Sequence, residues 1–595
     1  MTHTKYVPGS VDIIRVVTHW NSLIDHGLRK PCSYIIEKSG AYYQALKGSD
    51  GTIAFGGSAD TGGAVGTDYI DVWQNVGDTL DTAGGGLIYF AEGTFTPTGA
   101  TAIDPELWTN IHHRGVGMNA TYLVGTSAGL IVKSGVAASN YVTFEDLTLD
   151  GDSQNNHLVN INTGATYWKF NRCHLTDSGK MNLWSNLCYD LTLTNNIFDS
   201  SAVAVSADLV ALGSERCLVQ GNRFYKTSGL GGGCLTSGSM KYGRIVNNYF
   251  ENDAASSYAA VSLENNYGVF EDVVVSNNNI LGEDSSGCIN VGNAVTNAFI
   301  GATVSGNTIE GGGIVGNTVS RLCVTGNTIF NSHYGIAFAN ADSVSIIGNV
   351  IENTAYNGAG ATGDKGGVYL SAPEENFVIS NNVVIDTQGA GRETPYGIST
   401  DGSYGVISGN HIENADDGIL LYGDKCNVFG NTMLNNAGFG LIIQAGATEN
   451  HLHSNFYNGN TTNPVSDTVG ANTQFDASYN ASASLDLSGA ATTLIVHHSE
   501  QPLRLMRACF LYTEASSADA GVGISIGNEG ATNAFLAKTS EINKAQYYAK
   551  VYESDGAGLA TASLATGDTI TCTTAGGKAD TGEVWVTVDC LTGAY

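Results

Sequence analysis

Acidic residues and tyrosines concentrate between residues 353 and 424 in a pattern that could support sugar chemistry. Two carboxyl groups can supply the acid and the base or nucleophile of a glycoside hydrolase, and tyrosine rings can stack on sugar faces. The candidate catalytic residues are Asp401, Asp416, Asp417 and Glu374, and the candidate substrate-binding residues are Tyr369, Tyr396, Tyr422 and Asp424. An aspartate at a turn can instead bond its own backbone, so each carboxylate also has a purely structural interpretation.

A second candidate site is a cluster of basic residues in a chain that has 26 lysines and arginines. It consists of Arg216, Lys241, Tyr242 and Arg244. Elimination from a uronic acid needs a base that removes the C5 proton and cations that neutralise the carboxylate, and a Lys/Arg pair beside a tyrosine could provide both. The alternative is a surface salt-bridge ladder, because Glu215, Lys241 and Glu271 occupy equivalent positions in their repeats.

Metal-binding patterns are weak in this sequence, and we predict no metal site and no cofactor. His112-His113 and His497-His498 are adjacent pairs, which on a strand point to opposite faces and cannot easily share one ion. The segment from Leu149 to Asn155 resembles the start of an acidic calcium loop but lacks the distal glutamate that would complete it. We interpret this segment as a turn.

A repeated segment would position these candidate residues. The frame apolar-x-(Gly/Asn/Ser)-Asn-x-apolar occurs around Asn196, Asn222, Asn248, Asn278, Asn307, Asn327, Asn349, Asn382, Asn410, Asn431 and Asn455. Successive asparagines are 20 to 33 residues apart, with strand-like alternation between them. This spacing predicts a parallel β-helix, in which each rung has three short strands and three turns. We expect the asparagine amides to stack ~4.8 Å apart at a turn, and we expect the asparagines themselves to adopt the left-handed backbone conformation there.

Alignment of the strands that begin at Gly367, Gly397, Gly418 and Gly440 predicts columns of outward side chains. One column contains Ser371, Asp401, Tyr422 and Gln444, and another contains Tyr369, Ser399 and Leu420. Neighbours in a column are ~4.8 Å apart, so carboxylates one or two rungs apart span the separations of retaining and inverting glycosidases. The insertions 353–366 and 388–395 lengthen these rungs, and long loops on a rigid scaffold are common binding sites. The sequence leaves the partner of Asp401 open.

Composition and charge exclude several classes of partner. The net charge is −30 although 14% of residues are charged, which argues against nucleic acid and anionic membranes. No stretch reaches the ~20 apolar residues needed to cross a bilayer, and we expect no cleaved signal peptide. Among the eleven cysteines, Cys217, Cys323 and Cys426 precede ladder asparagines and should be small buried hydrophobic residues. Cys572 and Cys590 are spaced for a late disulfide.

The repeat divides the chain into three predicted regions. Residues 1–60 lack the repeat and are predicted to form an N-terminal attachment module. Residues 61–478 are predicted to form the β-helix, with a capping helix at 67–81 because an open first rung would expose its core and strand edges. Residues 479–595 contain separated strands that suit an antiparallel β-sandwich for trimerisation or glycan binding. The fold class is therefore all-β.

The first rungs carry the motifs Gly86-Leu-Ile-Tyr-Phe90, Gly93-Thr-Phe95 and Gly115-Val-Gly117 behind the helix. In these motifs the chain resembles the pectin-lyase-like superfamily of right-handed parallel β-helices over roughly residues 67 to 478. That superfamily contains lyases, hydrolases, epimerases and non-enzymes, so the resemblance implies a fold and leaves the chemistry open. The polygalacturonase and alginate-epimerase signatures are missing from the sequence. The order of an N-terminal module, a β-helix and a terminal sandwich resembles the tailspikes of viruses.

This resemblance implies a viral receptor-binding spike that binds a host-surface polysaccharide and depolymerises it by glycoside hydrolysis. Spikes of this kind are usually parallel homotrimers, which would join the virion tail or baseplate through the N-terminal module. One alternative is a free-standing lyase or epimerase that acts on a uronic-acid glycan, and another is an adhesive spike without activity. The expected location is the virion, as a tail or surface spike, and otherwise the extracellular space.

Overall fold

The structure is a computed structural model that divides into two compact units, residues 1–256 and 257–595, described separately below. The described residues are 32–133, 135, 137–153, 156–200, 208–226, 233–252, 259–264, 270–282, 288–292, 299–332, 335–354, 366–371, 375–387 and 396–467, followed by separate strands between 474 and 592. Beyond Ser466 the strand backbones alone are described. Within the described residues, no helix is long and apolar enough to cross a membrane.

The first unit is a parallel β-solenoid whose rungs contribute one strand to each of three sheets. The first sheet contains Ile131–Lys133, Val159–Ile161, Leu183–Tyr189, Val210–Glu215 and Leu235–Lys241, with Ser139–Asn140 and Ala165–Thr166 beside it. The second contains Gly86–Phe90, Ile111–Arg114, Thr192–Thr194, Leu218–Gln220 and Arg244–Val246. The third contains Gly93–Phe95, Thr121–Val124, Ile197–Ser200, Arg223–Lys226 and Tyr249–Asn252. Thr143–Asp150 and Lys169–Thr176 run through both the second and the third sheet.

One α-helix, Tyr69–Thr82, precedes these strands where the sequence predicts a helix over 67–81. The carboxylate of Asp68 accepts a hydrogen bond from the Ile70 backbone and so caps the first turn. The apolar face is buried, and the Trp73 ring packs edge-on against Phe90 with the ring centroids 5.2 Å apart. Gly77 is required at its position because a Cβ atom there would lie 1.9 Å from the Trp108 ring. The helix therefore covers inward side chains of the first rungs.

An antiparallel hairpin, Tyr34–Ser39 and Tyr42–Lys47, lies within the predicted N-terminal module, and Ile53–Gly56 pairs with its second strand. Its first strand also pairs in parallel with Gly86–Phe90 of the solenoid. The attachment role of residues 1–60 stays a prediction. The first solenoid strand has unpaired backbone groups along its edge, and the hairpin satisfies them.

The second unit repeats the three-sheet arrangement. The first sheet contains Val261–Leu263, Ile289–Val291, Ile314–Asn317, Ile336–Ala339, Val368–Ser371, Tyr396–Thr400, Asp417–Leu421, Phe439–Ile443 and Asn463–Asp467. The second contains Phe270–Ser276, Phe299–Ser305, Val319–Thr325, Asp342–Ile347, Val378–Ser380, Val406–Ser408, Asn427–Phe429, His451–His453 and Gln474–Phe475. The third contains Asn279–Gly282, Thr308–Glu310, Thr328–Ser332, Val350–Thr354, Val383–Ile385, His411–Glu413, Thr432–Leu434 and Phe456–Asn458.

The asparagine ladder is present in both units between the second and third sheets. In the first unit the backbone N and Nδ2 of Asn196 donate to Oδ1 of Asn222 at 2.8 and 3.0 Å, and Asn222 bonds Asn248 in the same way. In the second unit the same paired bonds run from Asn278 to Asn455. The predicted stacking of the amides is confirmed.

The left-handed backbone expected at the ladder asparagines belongs instead to the residue before each of them. Asn195 has a φ of 56° and Gly306 a φ of 63°. A tight corner needs one left-handed residue, and the ladder asparagine must turn its side chain into the interior, so the two requirements fall on adjacent residues. The expectation was therefore wrong by one position.

The cysteines near the ladder are free thiols, as expected, but they differ in burial. Cys217 and Cys426 are fully buried, and burial raises the pKa of both thiols. Cys323 is half-buried, which corrects its predicted inward position. It pairs in register with Thr303 and Ser345 on the outer face of the second sheet.

Beyond residue 478 the strands pair antiparallel. One sheet contains Tyr479–Asp486, Glu583–Thr592, Leu503–Tyr512, Ala549–Glu553 and Ser563–Leu564, and the other contains Thr492–Val496, Thr569–Ala575, Gly523–Asn528 and Ala531–Ser540. Ser517–Ala518 and Ala579–Thr581 form a short additional pair. Packing of these sheets into a sandwich stays a prediction. The disulfide between Cys572 and Cys590 also stays a prediction. The two residues lie on strands of different sheets.

Candidate functional site

The outward columns on the first sheet of the second unit have the predicted register. Tyr369 pairs with Ser399, and Ser399 pairs with Leu420. The next column continues the same alignment. The backbone nitrogen of Asp401 donates to Leu370 at 3.0 Å, that of Tyr422 to Thr400 at 2.9 Å and that of Gln444 to Leu421 at 2.8 Å. Asp401 and Tyr422 therefore directly follow the ends of neighbouring strands, ~4.8 Å apart.

The corner after this sheet carries an exposed aromatic residue and a cation. Tyr404 is 52% exposed and has a φ of 58°, which is costly for a residue with a bulky side chain. Lys425 occupies the same corner of the next rung, and its Nζ donates to the Tyr404 hydroxyl at 3.2 Å. The hydrogen bond to the Tyr404 hydroxyl and the electrostatic interactions with Tyr404 and Glu449 raise the pKa of Lys425, so this amine stays protonated. We define the corner surface as Asp401, Tyr404, Tyr422, Lys425 and Gln444.

Sequence reasoning overlooked Lys425 as a partner of this site. A signal was available, because Tyr404, Lys425 and Glu449 repeat at intervals of 21 and 24 residues, as do Asn410, Asn431 and Asn455. Residues in phase with the ladder must stack on each other. Lys425 Nζ lies 3.9 Å from the carboxylate of Glu449, and this contact continues the corner column by one rung.

Asp417 and Tyr396 lie at the opposite end of the first sheet, where they pair in register. Asp401 lies five positions after Tyr396 in extended chain, so Asp401 and Asp417 are ~16 Å apart. That separation exceeds the ~9.5 Å upper limit of a glycosidase pair, so these two candidates cannot act together. Asp416 is a half-buried neighbour at the same end, and Glu374 lies outside the described residues.

Tyr396 is 8% exposed and packs with Leu420 and Ile442, which corrects its predicted outward, substrate-accessible position. The apolar side chains of the next two rungs occupy the outer face there and bury the ring. Asp417 is also 8% exposed, and burial raises the pKa of its carboxyl group. Its Oδ1 accepts a hydrogen bond from the Phe439 backbone at 2.6 Å. The Asp417 carboxylate therefore has the structural role that the sequence analysis gives as the alternative to catalysis.

Asp424 and Ser399 have contrasting environments. Oδ1 of Asp424 accepts hydrogen bonds from the backbone and hydroxyl of Thr448 at 2.5 and 2.9 Å, so this carboxylate fastens a turn. Ser399 faces outward but is 1% exposed, and its Oγ has no hydrogen-bond partner among the described residues. A buried hydroxyl without a hydrogen-bond partner costs free energy of folding. A water molecule or a ligand hydroxyl beside it would remove that cost.

The basic cluster of the first unit is largely engaged in ion pairs. Arg216 donates from Nε and Nη2 to both carboxylate oxygens of Asp190 at 2.8 and 2.7 Å, and this bidentate contact raises the pKa of the guanidinium. Lys241 Nζ lies 3.9 Å from Glu215. Tyr242 and Arg244 are exposed. These contacts favour the salt-bridge alternative over an elimination site.

His112 and His113 point to opposite faces, as predicted, whereas the pair His497-His498 lies outside the described residues. His113 is fully buried and stacks on Phe144 with the ring centroids 4.4 Å apart, whereas His112 is half-buried and contacts Glu145 at 3.2 Å. The described ranges contain no group of three potential metal ligands.

Residues 296–457 match the family model described as right handed beta helix region. The predicted all-β fold with a right-handed parallel β-helix is thereby confirmed. No curated protein sequence matches the chain.

Similar solved structures come from phages and from a bacterium. A tailspike double mutant of Escherichia coli bacteriophage HK620 has 12% identity and a TM-score of 0.43, covering 96% of this chain and 99% of that one. The tailspike of Pseudomonas phage phi297 has 10% identity and a TM-score of 0.41, covering 87% and 92%. The Azotobacter vinelandii mannuronan C-5 epimerase AlgE4 A-module has 17% identity and a TM-score of 0.42, covering 62% and 98%.

Proposed function

We propose that this protein binds a host-surface polysaccharide at the corner surface and depolymerises it by glycoside hydrolysis. The observation that carries the proposal is the exposed ring of Tyr422, 38% accessible, one rung from Asp401. Exposed tyrosine rings stack on the apolar faces of sugars. Neighbouring carboxylates accept hydrogen bonds from sugar hydroxyls, and amide groups can both donate and accept them. Tyr404 adds a second exposed ring at the same corner.

The rigidity of the scaffold supports this binding role. Each strand of the first sheet is fixed by its neighbours on both sides. Backbone hydrogen bonds from Tyr404 to Asp424 at 3.0 Å and from Lys425 to Thr448 at 2.9 Å fix the corner that follows. A ligand that binds there therefore needs little reorganisation of the protein, which lowers the entropic cost of binding.

We also propose that the protein is a homotrimeric viral receptor-binding spike, located on the virion tail. The support is the order of its parts, with 1–60 as the attachment module, 61–478 as the β-helix and 479–595 as a terminal sandwich. Light scattering of the full chain should give about 186 kDa for three chains of 62.0 kDa. A mass near that of one chain would contradict the trimer. Baseplate or portal genes beside this gene would support the virion location, and sugar-uptake genes would contradict it.

The binding experiment compares two tyrosines of nearly equal exposure. Tyr422 is 38% exposed at the corner surface, and Tyr42 is 37% exposed on the N-terminal hairpin. The full chain and the variants Tyr422→Ala and Tyr42→Ala are titrated against a panel of purified bacterial capsular and exopolysaccharides. We expect the first variant to weaken binding about tenfold and the second to bind normally. Equal binding by all three proteins, or binding by none, would contradict the proposed site.

The rival functions make different predictions in the same experiment. A uronate lyase or epimerase would require uronate-containing polysaccharides and a cationic site, and the ion pairs of Arg216 and Lys241 do not favour one. An adhesive spike would bind a polysaccharide and leave its chain length unchanged.

A further inference from the structure

The outer face of the third sheet in the first unit carries carboxylates that the corner surface does not use. Asp150 pairs in register with Thr176. Leu175 pairs with Phe198, so Asp199 follows Thr176 in the same outward column. The Thr176 hydroxyl donates to Oδ1 of Asp199 at 2.5 Å, which joins these two strands directly. Asp150, Thr176 and Asp199 therefore stand on three successive strands.

Asp199 is held in the ionised form. Nε2 of His174 lies 2.9 Å from Oδ2 of Asp199, and the side chain of Asp199 is 32% exposed. Burial alone would raise the pKa of this carboxyl group. The hydrogen bonds from His174 and Thr176 and the charge of His174 outweigh burial and lower the pKa. An ionised carboxylate that still reaches solvent can accept a proton from water.

Asp150 lies in the opposite kind of environment. Burial raises the pKa of its carboxyl group, and the negative charges of Asp177 and Asp152 act in the same direction. Its Oδ1 accepts a hydrogen bond from the Asp152 backbone at 2.9 Å, which fixes the side chain without neutralising it. A carboxyl group that keeps its proton to higher pH can act as a general acid. Two carboxyl groups on one face with opposed pKa shifts are the usual mark of an acid and a base.

The separation of the pair selects one stereochemical course. Two strand spacings of ~4.8 Å place the backbones of Asp150 and Asp199 ~10 Å apart, which is far beyond a retaining pair and at the upper end of the range for an inverting pair. Inverting glycosidases hold their carboxyl groups about 6.5 to 9.5 Å apart to admit a water, whereas retaining enzymes need about 5 Å. The columns continue with polar and aromatic side chains suited to sugar subsites. Tyr225 pairs in register with Asp199, and the exposed Arg223 lies two residues before it.

We propose that Asp150 and Asp199 are the general acid and the general base of an inverting glycoside hydrolase site on this face. The assignment rests on the proposed function, because it presupposes that the protein cleaves a polysaccharide. Asp150 donates its proton to the glycosidic oxygen as the bond from that oxygen to C1 breaks. Asp199 removes a proton from a water that attacks C1 from the opposite side. The products are a new reducing sugar of inverted configuration and a free sugar hydroxyl, and solvent returns the proton from Asp199 to Asp150.

The test uses the full chain and the polysaccharide panel, with new reducing ends as the first readout. Asp150→Asn and Asp199→Asn should each lower the cleavage rate about 10²- to 10⁴-fold, the usual contribution of an acid or base. Both should leave polysaccharide binding and the melting temperature nearly unchanged. The matched control is Glu413→Gln, because Glu413 contacts His411 at 3.3 Å on the third sheet of the second unit and has no part in the pair. It should cleave at the normal rate.

The second readout is the anomeric configuration of the fresh product, followed by NMR in the first minutes of reaction. Inversion is expected, and retention would overturn the assignment. A chain that binds a polysaccharide without cutting it, or that cuts it equally well in both Asp→Asn variants, would also overturn the assignment and leave the binding function standing. Binding of no polysaccharide would refute the proposed function itself. If Asp199→Asn loses its fold with the His174 contact, Asp150→Asn decides, because asparagine keeps the acceptor for the Asp152 backbone.

Discussion

Replacement of one ladder asparagine by alanine should open the second unit locally. Asn327 is 1% exposed, and its Oδ1 accepts from the backbone N and Nδ2 of Asn307 at 3.0 and 2.9 Å. Asn327→Ala leaves both of these buried donors without an acceptor, and each unsatisfied buried group costs about 1–3 kcal/mol. Its own Nδ2 also ceases to donate to Asn349 and Val304. The loss of local stability is therefore about 2–6 kcal/mol.

Hydrogen exchange read by mass spectrometry on peptides spanning 304–351 measures this loss. An opening free energy lower by about 2–6 kcal/mol should speed exchange roughly 30-fold to 10⁴-fold. The control is Asn317→Ala. The Oδ1 of Asn317 accepts exposed hydrogen bonds from Thr318 and Asn340, and their loss should change the stability little. Exchange that rises less than about threefold in Asn327→Ala would refute the argument, since water would then replace the amide at no cost.

Three further predictions concern the carboxylate pair, the binding surface and the core. His174→Gln removes the charge that helps to keep the pKa of Asp199 low, so the acid limb of the cleavage profile should move to higher pH while the alkaline limb stays. Tyr422→Phe keeps the ring and should retain most of the binding that Tyr422→Ala loses, as isothermal titration would show. Burial lowers the pKa of His113 to about 3, so stability should fall as the pH drops below the unfolded value of about 6.5, and His113→Phe should weaken that fall in thermal melts.

The sequence predicts the architecture well because a solenoid is specified locally. Each ladder asparagine has the same neighbours in sequence and the same partners in space, so one spacing rule determines the rung. The helix over Tyr69–Thr82 could be predicted for a similar reason, since its apolar face and its cap at Asp68 lie within one short segment. The parallel pairing of the N-terminal hairpin with Gly86–Phe90 could not be predicted, because nothing within the hairpin specifies its second partner.

The candidate site was harder to predict, because alternation describes a strand and fails at its ends. Tyr396 stands at the corner where the first sheet of the second unit begins, and its ring turns onto Leu420 and Ile442. Asp417 occupies the equivalent corner and is buried there, with its carboxylate bonded to the Phe439 backbone. Tyr422 and Asp401, at the other end of the same strands, kept the predicted register. Burial at a corner depends on the size of side chains one and two rungs away, which a single repeat does not reveal.

Column geometry restricts where a β-helix can perform acid and base chemistry. Outward residues in one column are separated by multiples of ~4.8 Å, so a retaining pair must occupy adjacent rungs and an inverting pair alternate rungs. Asp150, Thr176 and Asp199 are 26 and 23 residues apart, which are single repeat lengths, so the alternate spacing was already present in the sequence. The intervening residue must be small and must leave room for water between the carboxylates. Thr176 meets that requirement and also bonds Asp199, so the same residue that separates the two groups helps to hold one of them ionised.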